Sequence, residues 1–289
     1  MRAPGKVFPS KSDCDAIFTF SWDKFFDARE LRYVDVFEID VDKLTDWGLK
    51  NLNNNNTQVL YVAFVGTPLA TASRDPMGDG FFPVVRLVKG KEIKSGLGLT
   101  IATDRPLYVM GDYNSDPAKW VPASLVGDAI YVLSNAWDDT KAVCNGYVPA
   151  GVNVFTSCPL GNPQNPTPWK RTQASATAVY AAILAGHKAT PCDHEVLGCP
   201  GGYDKFYGGG IENFPRFLET WGSGVTLTYR GSLVSLDTSL VATGLWSGDY
   251  YSPPKRDWAF DMRFKDPANL PPGTPVVGNV IHTAFRPVY

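Results

Sequence analysis

The sequence predicts a mainly β protein, foremost a parallel β-solenoid with one short helix and long disulfide-stapled loops, with a β-sandwich as the alternative. Three observations predict it. The chain of 289 residues holds 27 Gly, 23 Pro, 16 Phe, 13 Tyr and 8 Trp, a load of turn-formers and pleat-fillers that leaves little room for long helices. Short apolar segments recur, cut by sharp polar corners, at a spacing of about 20–25 residues, as stacked coils would show. Four of the five cysteines fall in close pairs within Gly-, Pro- and Asn-rich stretches. Together these place the chain in a single elongated domain over 1–289, with an N-terminal β subregion over 1–96 and a solenoid-like region over 97–289.

The segments follow in order. Ile17-Phe18-Thr19-Phe20 is apolar, Asp27-Ala28-Arg29-Glu30 is a polar turn, and Tyr33 to Val41 alternates with period two. Asn51 to Asn56 reads as a loop, followed by strands at Leu60–Val65 and Val84–Val88. Leu99–Ala102 and Leu107–Met110 flank the corner Thr103-Asp104-Arg105-Pro106, and Ala129–Leu133 comes next; Tyr108 and Tyr131 lie 23 residues apart. Later strands are expected at Ala178–Gly186, Val225–Tyr229 and Ser232–Leu236, with a last one from Val276 to Phe285. One helix is expected over 213–221. Asn213 caps it, Pro215 sits in its first turn, and Ile211, Phe214, Leu218 and Trp221 form its apolar stripe.

Composition excludes several classes. With 44% hydrophobic residues and a formal charge of -2, the chain is not intrinsically disordered. It also lacks the basic footprint of a protein that binds nucleic acid by bulk electrostatics. The basic cluster that a DNA receptor would have to use is Lys89, Lys91 and Lys94. No apolar run reaches the ~18 residues of a membrane span, and the first residues lack the apolar stretch of a signal peptide.

The paired cysteines predict two local disulfides, Cys144–Cys158 and Cys192–Cys199, in surface loops of an exported protein. Cys14 is left over. Cys192, His194 and Cys199 also present zinc-type ligands, but without a fourth. Asp112, Asn114 and Asp116 put oxygens at alternate positions, as a calcium loop begins. The glycine position of such a loop is Pro117 and its bidentate Glu position is Ala123, so a corner whose Asp and Asn bond their own backbone reads first and calcium second. Asp138-Asp139 would supplement such a site.

No nucleophile elbow, zinc-protease motif or phosphate loop occurs. Asp23, Asp27, Arg29 and Glu30 imitate the acidic faces of polysaccharide-cleaving β-helices, but without a distinguishing spacing. An acid pair with a raised pKa in a groove would favour that reading. The ring-rich stretch with Trp246, Tyr250, Tyr251 and Trp258 is the candidate ligand contact; the same rings would also serve as the cap of a stack.

Five stretches taken together carry a resemblance. They are Phe25–Glu30 with Phe37–Leu44, Gly98–Asn114, Gly127–Asp139, Gly210–Glu219 and Asp266–Pro275. In this order the chain resembles the C-terminal region of PilX-type, type IV pilus-associated bacterial surface proteins, and is similar in plan to solenoid-bearing minor pilins. The resemblance implies an extracellular or cell-surface location, other pilus or surface subunits as partners, and a structural or adhesive task without catalytic residues. A surface glycan or DNA is the ligand it implies. The N-terminal pilin helix of that family has no counterpart here.

Overall fold

The computed structural model describes residues 9–30, 32–52, 58–65, 81–144, 171–187, 214–244 and 250–275. It opens with helix α1 (Lys11–Ile17), started by a capping box in which Ser10 accepts from the Asp13 amide and Asp13 accepts from the Ser10 amide. Strand β1 (Phe18–Asp27) and strand β2 (Arg32–Asp40) pair antiparallel, with a register irregularity between Ser21 and Phe25. Helix α2 (Val41–Asn51) follows directly, because the Asp40 carboxylate caps it on the Lys43 amide.

From there the strands alternate between two sheets, except that the last two lie side by side in one. They are β3 (Gln58–Val62), β4 (Pro83–Val88), β5 (Leu99–Thr103), β6 (Leu107–Met110), β7 (Ala123–Gly127), β8 (Ile130–Leu133), β9 (Thr177–His187), β10 (Pro215–Arg216), β11 (Thr226–Thr238) and β12 (Lys255–Phe260). Sheet 1 has the order β1-β2-β4-β6-β8-β10 and is parallel except for β1. Sheet 2 has the order β12-β11-β9-β7-β5-β3 and is parallel throughout. Two 3-10 turns, Met262–Lys265 and Pro267–Asn269, follow β12.

The main core lies between the sheets. Ile39, Val85, Leu87, Leu107, Val109, Ile130 and Val132 from sheet 1 meet Leu99, Ile101, Leu125, Val179, Ile183 and Leu227 from sheet 2. Strands alternate their side chains between faces, so the intervening residues of sheet 1 point the other way. There Val34, Val36, Val84, Tyr108, Tyr131 and Leu133 join a second core with Phe25, Trp137, Leu218, Val241 and Ala242. Sheet 1 is thus buried on both faces, and β4 and β8 are buried at every residue.

This architecture corrects the expected fold class. The chain forms two mostly parallel six-stranded sheets, mixed in direction at the β1–β2 hairpin and accompanied by helices, and not the regular coils of a clear β-solenoid. Nor do the sheets have the antiparallel pairing of a β-sandwich; parallel pairs dominate both. The spacing that suggested coils comes from strands returning to the same sheet, with insertions of unequal length between them.

The helix over 213–221 is absent from the described part, 214–221. Pro215 and Arg216 pair in parallel with Ile130 and Tyr131, and the apolar residues divide between two cores, Phe214, Phe217 and Trp221 into one and Leu218 into the other. A helical stripe has one face, whereas this segment is buried on two. The surface placement of the disulfides is corrected at Cys144, which is buried beside Phe26 and Ala28. Cys144 is disulfide-bonded, and its partner lies outside the described residues. Cys158, Cys192 and Cys199 lie outside the described residues, as do His194, Ile211, Asn213 and the strand expected at Val276–Phe285. Cys14 is a free thiol.

Candidate functional site

Parallel in-register pairing places equivalent side chains side by side across a sheet. In sheet 1, Glu38 lies opposite Arg86, Arg86 opposite Tyr108, Tyr108 opposite Tyr131 and Tyr131 opposite Arg216. One polar row therefore crosses the outer face of sheet 1. Arg86 is 2% exposed and holds Glu38 and Asp139, with its closest oxygens at 2.6 Å. Asp139 also accepts from the Trp137 indole at 2.7 Å.

The turn after β1 folds over this row. Phe25 packs edge-on to Tyr108 and Trp137. The Asp27 carboxylate accepts from the Tyr108 hydroxyl at 2.5 Å and from the amides of Arg29 and Glu30. Glu30 accepts from the Tyr131 hydroxyl at 2.9 Å and faces Arg216 at 3.3 Å. Of Asp23, Asp27, Arg29 and Glu30, the first donates its amide to the Asp35 carboxylate, and the other three meet at this row.

Its electrostatics follow from burial. Desolvation, reinforced by the Glu30 charge, pushes the Asp27 carboxyl up to about 6 against the pull of its three donors. Desolvation and the Arg216 charge push Arg29 down to about 10. Burial carries the Tyr108 and Tyr131 hydroxyls well above their ordinary range. Asp27, Tyr108 and Tyr131 have no exposed surface. The arrangement is a buried network of acids, guanidiniums and phenols.

The sequence-predicted sites land elsewhere. Asp112 accepts from Asn135 and from the Ala178 amide. Asn114 donates to the carbonyls of Val121 and Tyr180, and Asp116 accepts from the Ala118 amide. These atoms bind their own chain, and among the described residues no group of three His, Cys, Asp or Glu is arranged to hold a metal ion. Asp138 bonds Thr140 and Lys141 instead of facing that corner. Of the ring-rich stretch, Trp246 lies outside the described residues. Tyr251 is 8% exposed and packs on Phe217, Tyr250 is half-buried against the core, and Trp258 packs on Tyr229. These rings serve the interior. Lys89 and Lys94 pair closely with Asp40 and Asp42, and Lys91 lies 3.9 Å from Asp112, which leaves no free basic stripe at that cluster.

An exposed aromatic group was missed. On β1 Phe20 is 41% exposed and Trp22 67%, their rings edge-on at 4.9 Å. Phe81 sits against both, and Phe64 adjoins Phe81. The signal was legible in Phe18-Thr19-Phe20-Ser21-Trp22, where period two puts the rings on one face.

No family model, curated protein or solved structure matches this chain. No described helix is long and apolar enough to cross a membrane.

Proposed function

We propose that the chain is a non-enzymatic structural or adhesive subunit of an extracellular surface or type IV pilus assembly, acting through an exposed aromatic face. The observation that carries this reading is the Phe20–Trp22–Phe81 group on edge strand β1. A rigid sheet holds these rings in place, so little side-chain freedom is lost when a flat apolar partner such as a sugar ring settles on them. The resemblance to pilus-associated surface proteins supports the location. The alternative of a polysaccharide-active enzyme draws no support from the acid pair, because Asp27 and Glu30 are sealed beneath the fold and engaged with tyrosines and Arg216. The DNA-receptor alternative draws none from Lys89, Lys91 and Lys94, which face carboxylates.

The test is attachment of Phe20→Ala, Trp22→Ala and the double variant to a panel of immobilised glycans and to cell surfaces. Exposed anchors of this kind contribute about 2 kcal/mol each, so a loss of about thirtyfold per ring is expected with the melting temperature unchanged. Attachment equal to that of the unsubstituted chain overturns the aromatic face as the contact.

A further inference from the structure

Residues 239–244 form a strap across the outer face of sheet 1, and charged side chains, buried except for the part-exposed Asp128, hold it at nearly every residue. Asp128, between β7 and β8, accepts from the amides of Leu240, Val241 and Ala242 at 2.6, 3.1 and 2.7 Å. Arg216 donates to the Ala242 carbonyl at 2.8 Å and to the Ser239 hydroxyl at 3.1 Å. The Gly244 amide donates to Glu30 at 2.8 Å, and Arg29 donates to the Gly244 carbonyl at 3.1 Å. The contact at Gly244 is close enough to require glycine: an added Cβ would lie 2.3 Å from the Arg29 carbonyl oxygen. Val241 and Ala242 are fully buried beneath this lattice of charges.

Among the described residues, two buried carboxylates (Asp27 and Glu30) lie with two buried guanidiniums (Arg29 and Arg216), and the part-exposed Asp128 adds a third carboxylate. Facing Asp27 are Tyr108 from β6, Arg29 and Glu30 from its own turn, and beyond them Tyr131 from β8 and Arg216 from β10. Arg86 of β4 stands over the Phe25 ring and is matched by Glu38 and Asp139. Asp27 and Glu30 are neighbouring buried carboxylates in one turn, and of the two Glu30 bonds the strap.

We propose that the overlay is an acid-tightened latch: a proton taken up by the Asp27–Glu30 pair relieves the repulsion between two neighbouring buried carboxylates and locks strap 239–244 onto sheet 1. With Asp27 neutral, Glu30 faces Arg216 and the Gly244 amide without repulsion from a second buried carboxylate. The elevated Asp27 ionisation, about 6, puts this uptake within the range of mildly acidic surroundings. In sign, a carboxyl whose folded pKa lies above its unfolded value costs stability as pH rises from the unfolded value through the folded one, and the cost is full above it. The latch is therefore tightest below pH 5 and loosest above pH 7.

The test compares the unsubstituted chain with Asp27→Asn in denaturant unfolding and in amide hydrogen exchange, corrected for intrinsic rates, at pH 7.5 and 4.5. Relative to Asp27→Asn, the unsubstituted chain should gain about tenfold or more in its folding equilibrium as pH falls. Protection of the Ala242 and Gly244 amides should rise in the unsubstituted chain and stay level in the variant. Glu30→Gln supplies the second variant should Asp27→Asn fail to fold; removing the repelling charge should shrink the pH response. Equal pH responses in the unsubstituted chain and the variant that folds overturn the latch, as does strap protection in the unsubstituted chain that does not change with pH.

Discussion

Tyr108 and Tyr131 stack nearly face to face, with ring centroids 4.4 Å apart and planes inclined by 13°, one strand apart in sheet 1. Their hydroxyls diverge to two different acids, Tyr108 to Asp27 and Tyr131 to Glu30. The pair joins β6 and β8 to the turn after β1, linking parts of the chain about a hundred residues apart in sequence.

Tyr108→Phe removes one donor from a buried carboxylate and leaves the ring stack intact. The expected loss is about 1–3 kcal/mol at pH 7.5. It should diminish at pH 5, where Asp27 is largely protonated and depends less on the hydroxyl. Urea unfolding at both values measures it. A loss that is the same at both would mean that the Asp27 charge is not what the hydroxyl stabilises.

Arg86→Ala leaves Glu38 and Asp139 facing each other without their shared cation. Breaking a buried pair by removing one partner costs about 3–5 kcal/mol. Both carboxylates keep some contact with water, so a loss near the lower end, about 3 kcal/mol, is expected. Arg86→Met, which keeps the stem over Phe25, should lose less than Arg86→Ala. Chemical denaturation of both variants gives the ranking.

Gly231 lies in the middle of sheet 2, paired with Ala181 on one side and Phe260 on the other. An added Cβ would fall 1.8 Å from the Ala181 carbonyl oxygen, a clash with backbone that no rotamer relieves. Gly231→Ala is expected to destabilise by more than about 2 kcal/mol, in the range of overpacked cores. Gly224→Ala is the control, because nothing lies within 4 Å of the added atom. Thermal melts should separate the two clearly; matching melts would place β11 differently from the register given above.

Much of this was legible residue by residue, because parallel strands buried on both faces are mostly apolar. Val84–Val88, Leu99–Ala102 and Leu107–Met110 stand where periodicity put them. The distance between Tyr108 and Tyr131 is the register step of sheet 1, although it was read as the turn of a coil. What escaped were features decided by distant partners. Arg216 looked like part of a helix because its neighbours Phe214, Leu218 and Trp221 fit a helical stripe, while its real partners, Tyr131, Glu30 and the strap, are far away in sequence. Helix α2 was missed because its start, Asp40-Val41, continues an alternating strand; only the cap on Lys43 ends that strand. Trp246, Tyr250, Tyr251 and Trp258 drew attention as ring-rich, but ring density does not tell an interior from a surface. The exposed pair, Phe20 and Trp22, sits in a simple alternation on an edge strand, which reads as an ordinary strand with one face inward.

Asn114 separates the two readings of the Asp112–Asp116 corner. It is 1% exposed and holds a left-handed backbone, φ 51°, which Asn tolerates better than most residues. Its amide nitrogen donates to the Val121 carbonyl at 2.7 Å and to the Tyr180 carbonyl at 3.1 Å, and so ties the β6–β7 connection to β9. A calcium loop would welcome another carboxylate at this position. The hydrogen-bonded corner would not, since Asn114→Asp turns a donor between two carbonyls into a buried acceptor facing them. The expected outcome is a loss of about 2–3 kcal/mol for Asn114→Asp, greater than for a surface amide change and not restored by millimolar calcium. Thermal melts with calcium and with chelator measure it. Recovery of stability on adding calcium would restore the cation reading of the corner; unchanged stability without calcium would show that the two donated hydrogen bonds contribute nothing.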